Sequence, residues 1–139
     1  MSQAGADAQA DAKAVAEANE EFYAAFEALD MDRMEACWLH DDEVRCIHPG
    51  WDVMTGWPQV SRSWVAIFAN SAYIQFFLTD VRVHVDADTA WVTCAENILS
   101  GGAGGPDMED AKVLATNVFR RDRGRWRMVL HHGSPVLRP

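Results

Sequence analysis

His48 stands between a short apolar run, Val44-Arg45-Cys46-Ile47, and the turn-forming pair Pro49-Gly50, with two indoles, Trp51 and Trp57, close behind it. A neutral imidazole carries one donor and one acceptor nitrogen and titrates near cellular pH. At the end of a strand it can take a proton from a ligand, relay it, or bind a metal. The competing reading is structural, because ionisable side chains in apolar runs often satisfy neighbouring backbone groups while their carbon frames pack. Trp51 and Trp57 add flat apolar walls, each with an N–H donor, suited to gripping a hydrophobic small molecule and equally suited to filling a core corner. Trp64 belongs to a helical stripe and is read first as core, then as a wall of the same pocket.

A second group lies near the C-terminus. Asn117 is interleaved with Ala115 and Phe119 on one strand face, where its amide can hydrogen-bond a carbonyl or a developing oxyanion, or simply close an apolar sheet. In His131-His132, strand alternation sends the two rings to opposite faces. His132 shares its face with Trp126, Met128 and Leu130 and is the expected pocket member, with His131 bonded at the sheet exterior. Tyr23 sits beside the main stripe of the first helix, at its edge or in the pocket. Other chemistries lack parts. Cys46 near His48 has no evident oxyanion hole, and Ser134 near His132 has neither an acid nor a nucleophile elbow. His48, His132 and Asp41 or Asp42 could gather round a metal, but the adjacent histidines are not a ligand-spacing signature. No metal and no cofactor are expected.

These side chains need a frame. Val15, Phe22, Phe26 and Leu29 recur at helical spacing, which predicts a helix over 13–29 with Glu17, Glu20, Glu21 and Glu27 outside. Asp30 caps a second, shorter helix from Met31, given an apolar face by Met34, Cys37 and Trp38. Short extended pieces follow around Val44–Ile47 and Trp51–Met54. A third helix starts at Thr55-Gly56-Trp57-Pro58, with proline at its first position, and turns Val60, Trp64, Ile67 and Phe68 inward. Alternation then predicts long strands near 74–86, 89–99, 110–121 and 125–132. In the first, Gln75 to Val85 form one set, and Phe76 and Leu78 signal a bulge or burial on both faces. Three helices before a run of strands argue for an α+β domain: three N-terminal helices packed against a strongly curved mixed or antiparallel sheet.

At 139 residues the chain fits one domain, divided into a loose extension over 1–12, a domain over 13–134 and a short tail over 135–139. The net charge of −9 disfavours nonspecific attraction to nucleic acid or to anionic membranes. The run Arg120, Arg121, Arg123, Arg125 and Arg127 reads as a solvated hairpin, since no phosphate-binding loop accompanies it. Gly101 to Pro106 permits a mobile loop without the fixed residues of a nucleotide site. Cys37, Cys46 and Cys94 are odd in number and widely spaced, which points to reduced thiols rather than a disulfide scaffold or zinc knuckle. Neither an export signal nor a membrane-length apolar run is evident, so cytoplasmic placement is the expectation.

The order of elements, with Asp30-Met31-Asp32, the passage from Asp41-Asp42 to His48-Pro49-Gly50, Gly56 before the third helix and the terminal hairpin, resembles the nuclear transport factor 2-like superfamily. The resemblance is in particular to its ketosteroid-isomerase-like and SnoaL-like branches, over about residues 13–134. The resemblance implies a cone-shaped fold in which helices close a curved sheet over a pocket, and a homodimer. The stretch from Asn117 to Ser134 also resembles the end of a calcium/calmodulin-dependent-kinase association domain, which implies a noncatalytic assembly module as the alternative.

Known ketosteroid isomerases use an aspartate base and an oxyanion hole of tyrosine and protonated aspartate. By motif matching, His48 falls at the base position before Pro49, Phe22 near the tyrosine position and Asn117 at the oxyanion-aspartate position. Two acidic donors are thereby replaced, which disfavours strict ketosteroid isomerisation. The resemblance implies a binder of a small hydrophobic molecule, or a cofactor-independent isomerase, lyase or cyclase acting on a carbonyl compound. His48 would remove or relay the proton, Asn117 would polarise oxygen, and Tyr23 or His132 would add a polar contact. Phe22, Trp51, Trp57 and Trp64 would line the ligand.

Overall fold

The computed structural model describes residues 3–102, 104 and 108–137. It contains three helices, α1 (Gln3–Ala28), α2 (Met31–Cys37) and α3 (Trp57–Ala69). Six strands follow their predicted order: β1 (Arg45–Ile47), β2 (Met54–Thr55), β3 (Ser71–Asp86), β4 (Thr89–Gly102), β5 (Met108–Asp122) and β6 (Arg125–Pro135). They make one sheet in the order β2-β1-β6-β5-β4-β3. Every neighbouring pair is antiparallel except β1 with β6, so the sheet is mixed. The helices cover its inner face, where Phe22, Phe26, Trp38, Trp64, Val92, Phe119 and Met128 are buried in one core. Among the described residues no helix is long and apolar enough to cross a membrane.

Local chemistry explains most element ends. Asp30 accepts from the Arg33 N–H at 3.1 Å and caps α2. α1 stops because Leu29 turns into the left-handed region (φ 52), with the next N–H reaching back to Ala25 O. Leu29 therefore leaves the stripe expected to contain it and is only half-buried. The extension over 1–12, readable as a loose terminus or as an extra portion of the first helix, is helical from Gln3 onward. It is tied down by Asp11, which accepts from Arg121 at 2.6 Å, while Arg121 also reaches Asp88 and stacks 4.8 Å over Trp126. That arginine is a strut between helix and hairpin rather than a solvated charge.

Two bulges decide which side chains face the core. In β3 the register slips between Thr79 and Arg82, with Asp80 at φ 53. Phe76 and Leu78 face the helices before the slip, and Val83 and Val85 after it. The bulge that Phe76 and Leu78 signal thus breaks the alternation from Gln75 to Val85 in two. In β6, Val118 pairs with Leu130 but Phe119 pairs with Met128, which leaves Val129 as an extra residue. An extra residue flips every side chain beyond it to the other face. Met128 and His131 consequently share the inner face, and His132, expected inside with Met128, is exposed on the outer face.

The segment Trp51–Val53 is not a strand, since β2 contains only Met54 and Thr55. β4 continues through Gly101 and Gly102. Ala103, Gly105 and Pro106 of the expected loop lie outside the described residues. Gly133 matters for the site, because a Cβ there would meet Pro49 Cγ at 3.0 Å and Val113 Cγ1 at 3.1 Å. Its bare backbone lets the turn after His48 lie against β6.

Candidate functional site

Beneath the helices, six polar side chains are buried among apolar ones: Asn19, His48, Ser63, Glu96, Asn117 and His131. Buried polar groups are costly unless paired, and these form hydrogen-bonded sets with Tyr23. Asn117 on β5 sits opposite His131 on β6, and its Oδ1 accepts from His131 Nδ1 at 2.6 Å. Its Nδ2 donates to Asn19 Oδ1 at 2.9 Å and to Tyr23 Oη at 3.2 Å, both on α1. Tyr23 Oη in turn donates to Glu96 Oε2 on β4 at 2.5 Å. A directed chain therefore runs from His131 on β6 through Asn117 on β5 and Tyr23 on α1 to Glu96 on β4.

His48 forms the second set. It follows β1, whose Cys46 pairs with His131 in the parallel ladder, and its ring centre lies 6.3 Å from that of His131. His48 Nε2 is 2.9 Å from Ser63 Oγ on α3. Ser63 spends its own proton on Val60 O at 2.6 Å, so its oxygen accepts from His48. This fixes the proton on Nε2 and leaves a lone pair on Nδ1, which has only a long contact to Cys46 Sγ at 3.8 Å. The same bookkeeping puts the His131 proton on Nδ1 and the lone pair on Nε2.

Burial sets the protonation states. It pushes the His48 imidazole down to about 4. His131 goes down to about 3, through burial first and then the neighbouring His48 and His132. Both rings are neutral acceptors at physiological pH. Burial pushes the Glu96 carboxyl up to about 7, against the opposing pull of its Tyr23 hydrogen bond. The Tyr23 phenol is raised far above its ordinary value by burial, then by Glu96 and Cys94.

The aromatic candidates divide. Trp64 is fully buried, edge-on to His48 at 4.8 Å and near Phe22 at 5.6 Å, and its Nε1 has no hydrogen-bond partner among the described residues. Phe22 packs against Tyr23 and His131, both at 4.9 Å between ring centres. Trp51 meets His48 edge-on at 4.9 Å from a position half out in solvent. Trp57 does not join them: it stacks on His40 at 4.3 Å and leans on Trp38. His132 instead lines an outer groove of about 440 Å³ with Arg82, Lys112, Leu114 and Thr116. A further concavity of about 520 Å³ lies between α1, α2 and the β5–β6 hairpin, beside Glu21, Arg33 and Trp126.

His48, Asn117 and Tyr23 thus lie in one buried polar layer beneath the helices, with His131 bonded to Asn117 and its ring centre 6.3 Å from that of His48. Strand alternation alone assigns His131 to the wrong face. Asn117 differs from its expected use, since both of its N–H groups are engaged inside the chain. Glu96, Asn19 and Ser63 went unweighed, although two carried a signal. Glu96 is an acid on the face otherwise made of Ala90, Val92, Cys94 and Ile98, and Asn19 lies four residues from both Val15 and Tyr23 on the buried side of α1. Among the described residues no three His, Cys, Asp or Glu side chains group as metal ligands would.

This arrangement of helices over a curled sheet has close counterparts. The profile of the SnoaL-like domain family matches residues 15–138. The chain belongs to the SnoaL-like family. Its fold is that of the nuclear transport factor 2-like superfamily. A structure from Streptomyces avermitilis, assigned as a dehydratase of that superfamily, is 46% identical with a TM-score of 0.87, over 94% of this chain and 99% of that one. A Thiobacillus denitrificans structure assigned as a calcium/calmodulin-dependent protein kinase type II association domain is 36% identical, with a TM-score of 0.75 over 86% of this chain and 93% of that one. The Arabidopsis thaliana F-box protein SKIP8 is 34% identical over 128 residues, 92% of this chain. The chain spans about half the length of that curated relative, 52%.

Proposed function

We propose that this SnoaL-like domain holds a small hydrophobic carbonyl compound between α1, α3 and the inner sheet face and moves a proton on it. The carrying observation is the pair of buried neutral imidazoles, each held by a hydrogen bond through one ring nitrogen and both set against aromatic walls. The neutral imidazole is the form that can take a proton next to a carbonyl. His48 Nδ1 is the base in this reading, and the unpartnered Trp64 Nε1–H is a donor for the ligand's oxygen. Asn117 orients His131 instead of touching the ligand.

Removal of the α-proton leaves an enolate. Return of that proton from His48 to another carbon gives isomerisation, whereas its return to a β-hydroxyl, which then leaves as water while the C=C bond forms, gives dehydration. The 46% identical relative assigned as a dehydratase supports the second outcome. The test is α-proton exchange of a panel of carbonyl compounds in heavy water, followed by magnetic resonance. His48→Ala is expected to slow exchange by about 100-fold. Equal rates in the two proteins would rule His48 out as the base.

A second reading concerns assembly. Phe77, Leu114 and Trp91 are 56%, 53% and 40% exposed on the outer sheet face, over three adjacent strands. An apolar surface of that kind is a common mark of a protein interface. Together with the 36% identical relative assigned as an association domain, it supports self-association through this face.

A further inference from the structure

Tyr23 has one proton to give. With Glu96 ionised, that proton is committed to Oε2 at 2.5 Å, and the phenolic oxygen accepts from Asn117 at 3.2 Å. Asn117 has no donor left, because its other N–H is held by Asn19. The whole chain from His131 therefore points its donors inward and ends on a carboxylate. In that state the protons of His131 Nδ1, Asn117 Nδ2 and Tyr23 Oη are all committed within the chain. Protonation of Glu96 permits the last link to reverse. A carboxylic acid can donate to the phenolic oxygen beside the Asn117 bond when Cys94, whose sulfur is 3.5 Å from that oxygen, is the acceptor of the pair. That sulfur competes with a ligand for the phenol proton. The phenol's own proton is then released.

We propose that Glu96 decides whether the chamber can donate a hydrogen bond to a ligand oxygen: as a carboxylate it holds the Tyr23 proton, and as an acid it frees it. Glu96 is a positioning residue in this scheme, acting through Tyr23. The inference rests on the chamber being a ligand site, and it adds a polar ligand atom, an acceptor oxygen, docked against α1.

The surroundings leave few groups to compete. From α1, Tyr23 faces Glu96, while Glu27 further along is engaged by the Phe76 N–H at 2.9 Å. From β4 itself Cys94 lies beside them, its sulfur 3.5 Å from Tyr23 Oη. The ladder neighbours of Glu96, Leu78 on β3 and Val113 on β5, are apolar. No cation enters this set, and burial alone raises the carboxyl into the neutral range, at about 7.

The sequence contains two tyrosines, so Tyr73→Phe leaves Tyr23 as the only phenol. Tyr73 is exposed and bonds only locally, to Gln75. In that background the isotope-labelled tyrosine Cζ resonance is followed from about pH 5.5 to about pH 8.5. One inflection near neutrality is expected, and Glu96→Gln is expected to abolish it, with the signal resting near its low-pH position because the amide can donate as the acid does. Should Glu96→Gln not fold, Glu96→Asp is the substitute: the shorter arm breaks the link to Tyr23 and the inflection goes. A Tyr23 signal that ignores pH, or an inflection that survives either substitution, overturns the proposal. The titration needs no ligand, so its failure is distinct from failure of the proton-transfer reading, which His48→Ala decides.

Discussion

The two faces of the sheet depart from the usual burial pattern in opposite directions. The inner face, sealed by helices, carries Glu96, Asn117 and His131, whereas the outer face leaves Phe77, Trp91 and Leu114 in solvent. Folding alone asks for neither. A buried polar set contributes little net stability over a well-packed apolar one of the same shape, yet each member is costly to orphan. An exposed apolar side chain gains nothing in a lone chain. Departures from the burial pattern concentrate where a protein binds or reacts. In the proposed reading the inner departure serves chemistry and the outer one a partner.

The sharpest break in this comparison comes from Asn117→Leu set beside Leu114→Gln. The first leaves the His131 Nδ1–H, the Asn19 carbonyl and Tyr23 without their partner, and is expected to cost about 3 kcal/mol or more in urea unfolding. The second changes an exposed residue and is expected to stay within about 0.5 kcal/mol. Equal costs would mean the inner chain is not a coupled set.

Next in size is the pH dependence of stability. His48 and His131 fall from 6.5 to about 4 and about 3 on folding, so the unfolded chain takes up protons that the folded one refuses. Their contribution is lost as pH drops below 6.5. Glu96 works oppositely. Its folded value, about 7, exceeds the ordinary 4.5, so stability declines as pH rises across that interval. Two imidazoles outweigh one carboxyl, leaving a net gain of about 1.4 kcal/mol per pH unit as pH rises towards 6.5. Thermal unfolding should therefore be most resistant between pH 6.5 and 7. His131→Gln is expected to level the acidic side, and an unchanged slope would place the titration elsewhere.

The outer face gives the smallest effect on folding and a clear effect on assembly. Leu114→Lys should shift sedimentation towards a single chain, with unfolding changed by less than about 0.5 kcal/mol. A wild-type chain that sediments as a monomer at every concentration would remove the partner half of the comparison.

The sequence carries the frame better than the site. Caps, turns and alternation are local signals, and Asp30 at the start of α2 or Asn117 between Ala115 and Phe119 can be read from neighbours a few residues away. The bulge at Val129 cannot, because it exists only in the pairing of β6 with β5. Without it, His132 takes the place that His131 fills. Trp57 was misplaced for a related reason: nearness to His48 in sequence does not make it near in space, since α3 starts on the far side, against His40. Glu96 was visible as an acid in an apolar alternation. Its meaning depends on Tyr23, 73 residues earlier, which no local pattern connects to it.

Nitrogen magnetic resonance of the ring-labelled histidines tests the neutral-imidazole claim directly, between about pH 5 and about pH 8. His48 should stay neutral with its proton on Nε2, and His131 neutral with its proton on Nδ1, throughout. An imidazolium at either position near pH 6, or a His48 proton on Nδ1, would leave the chamber without the base assigned to it.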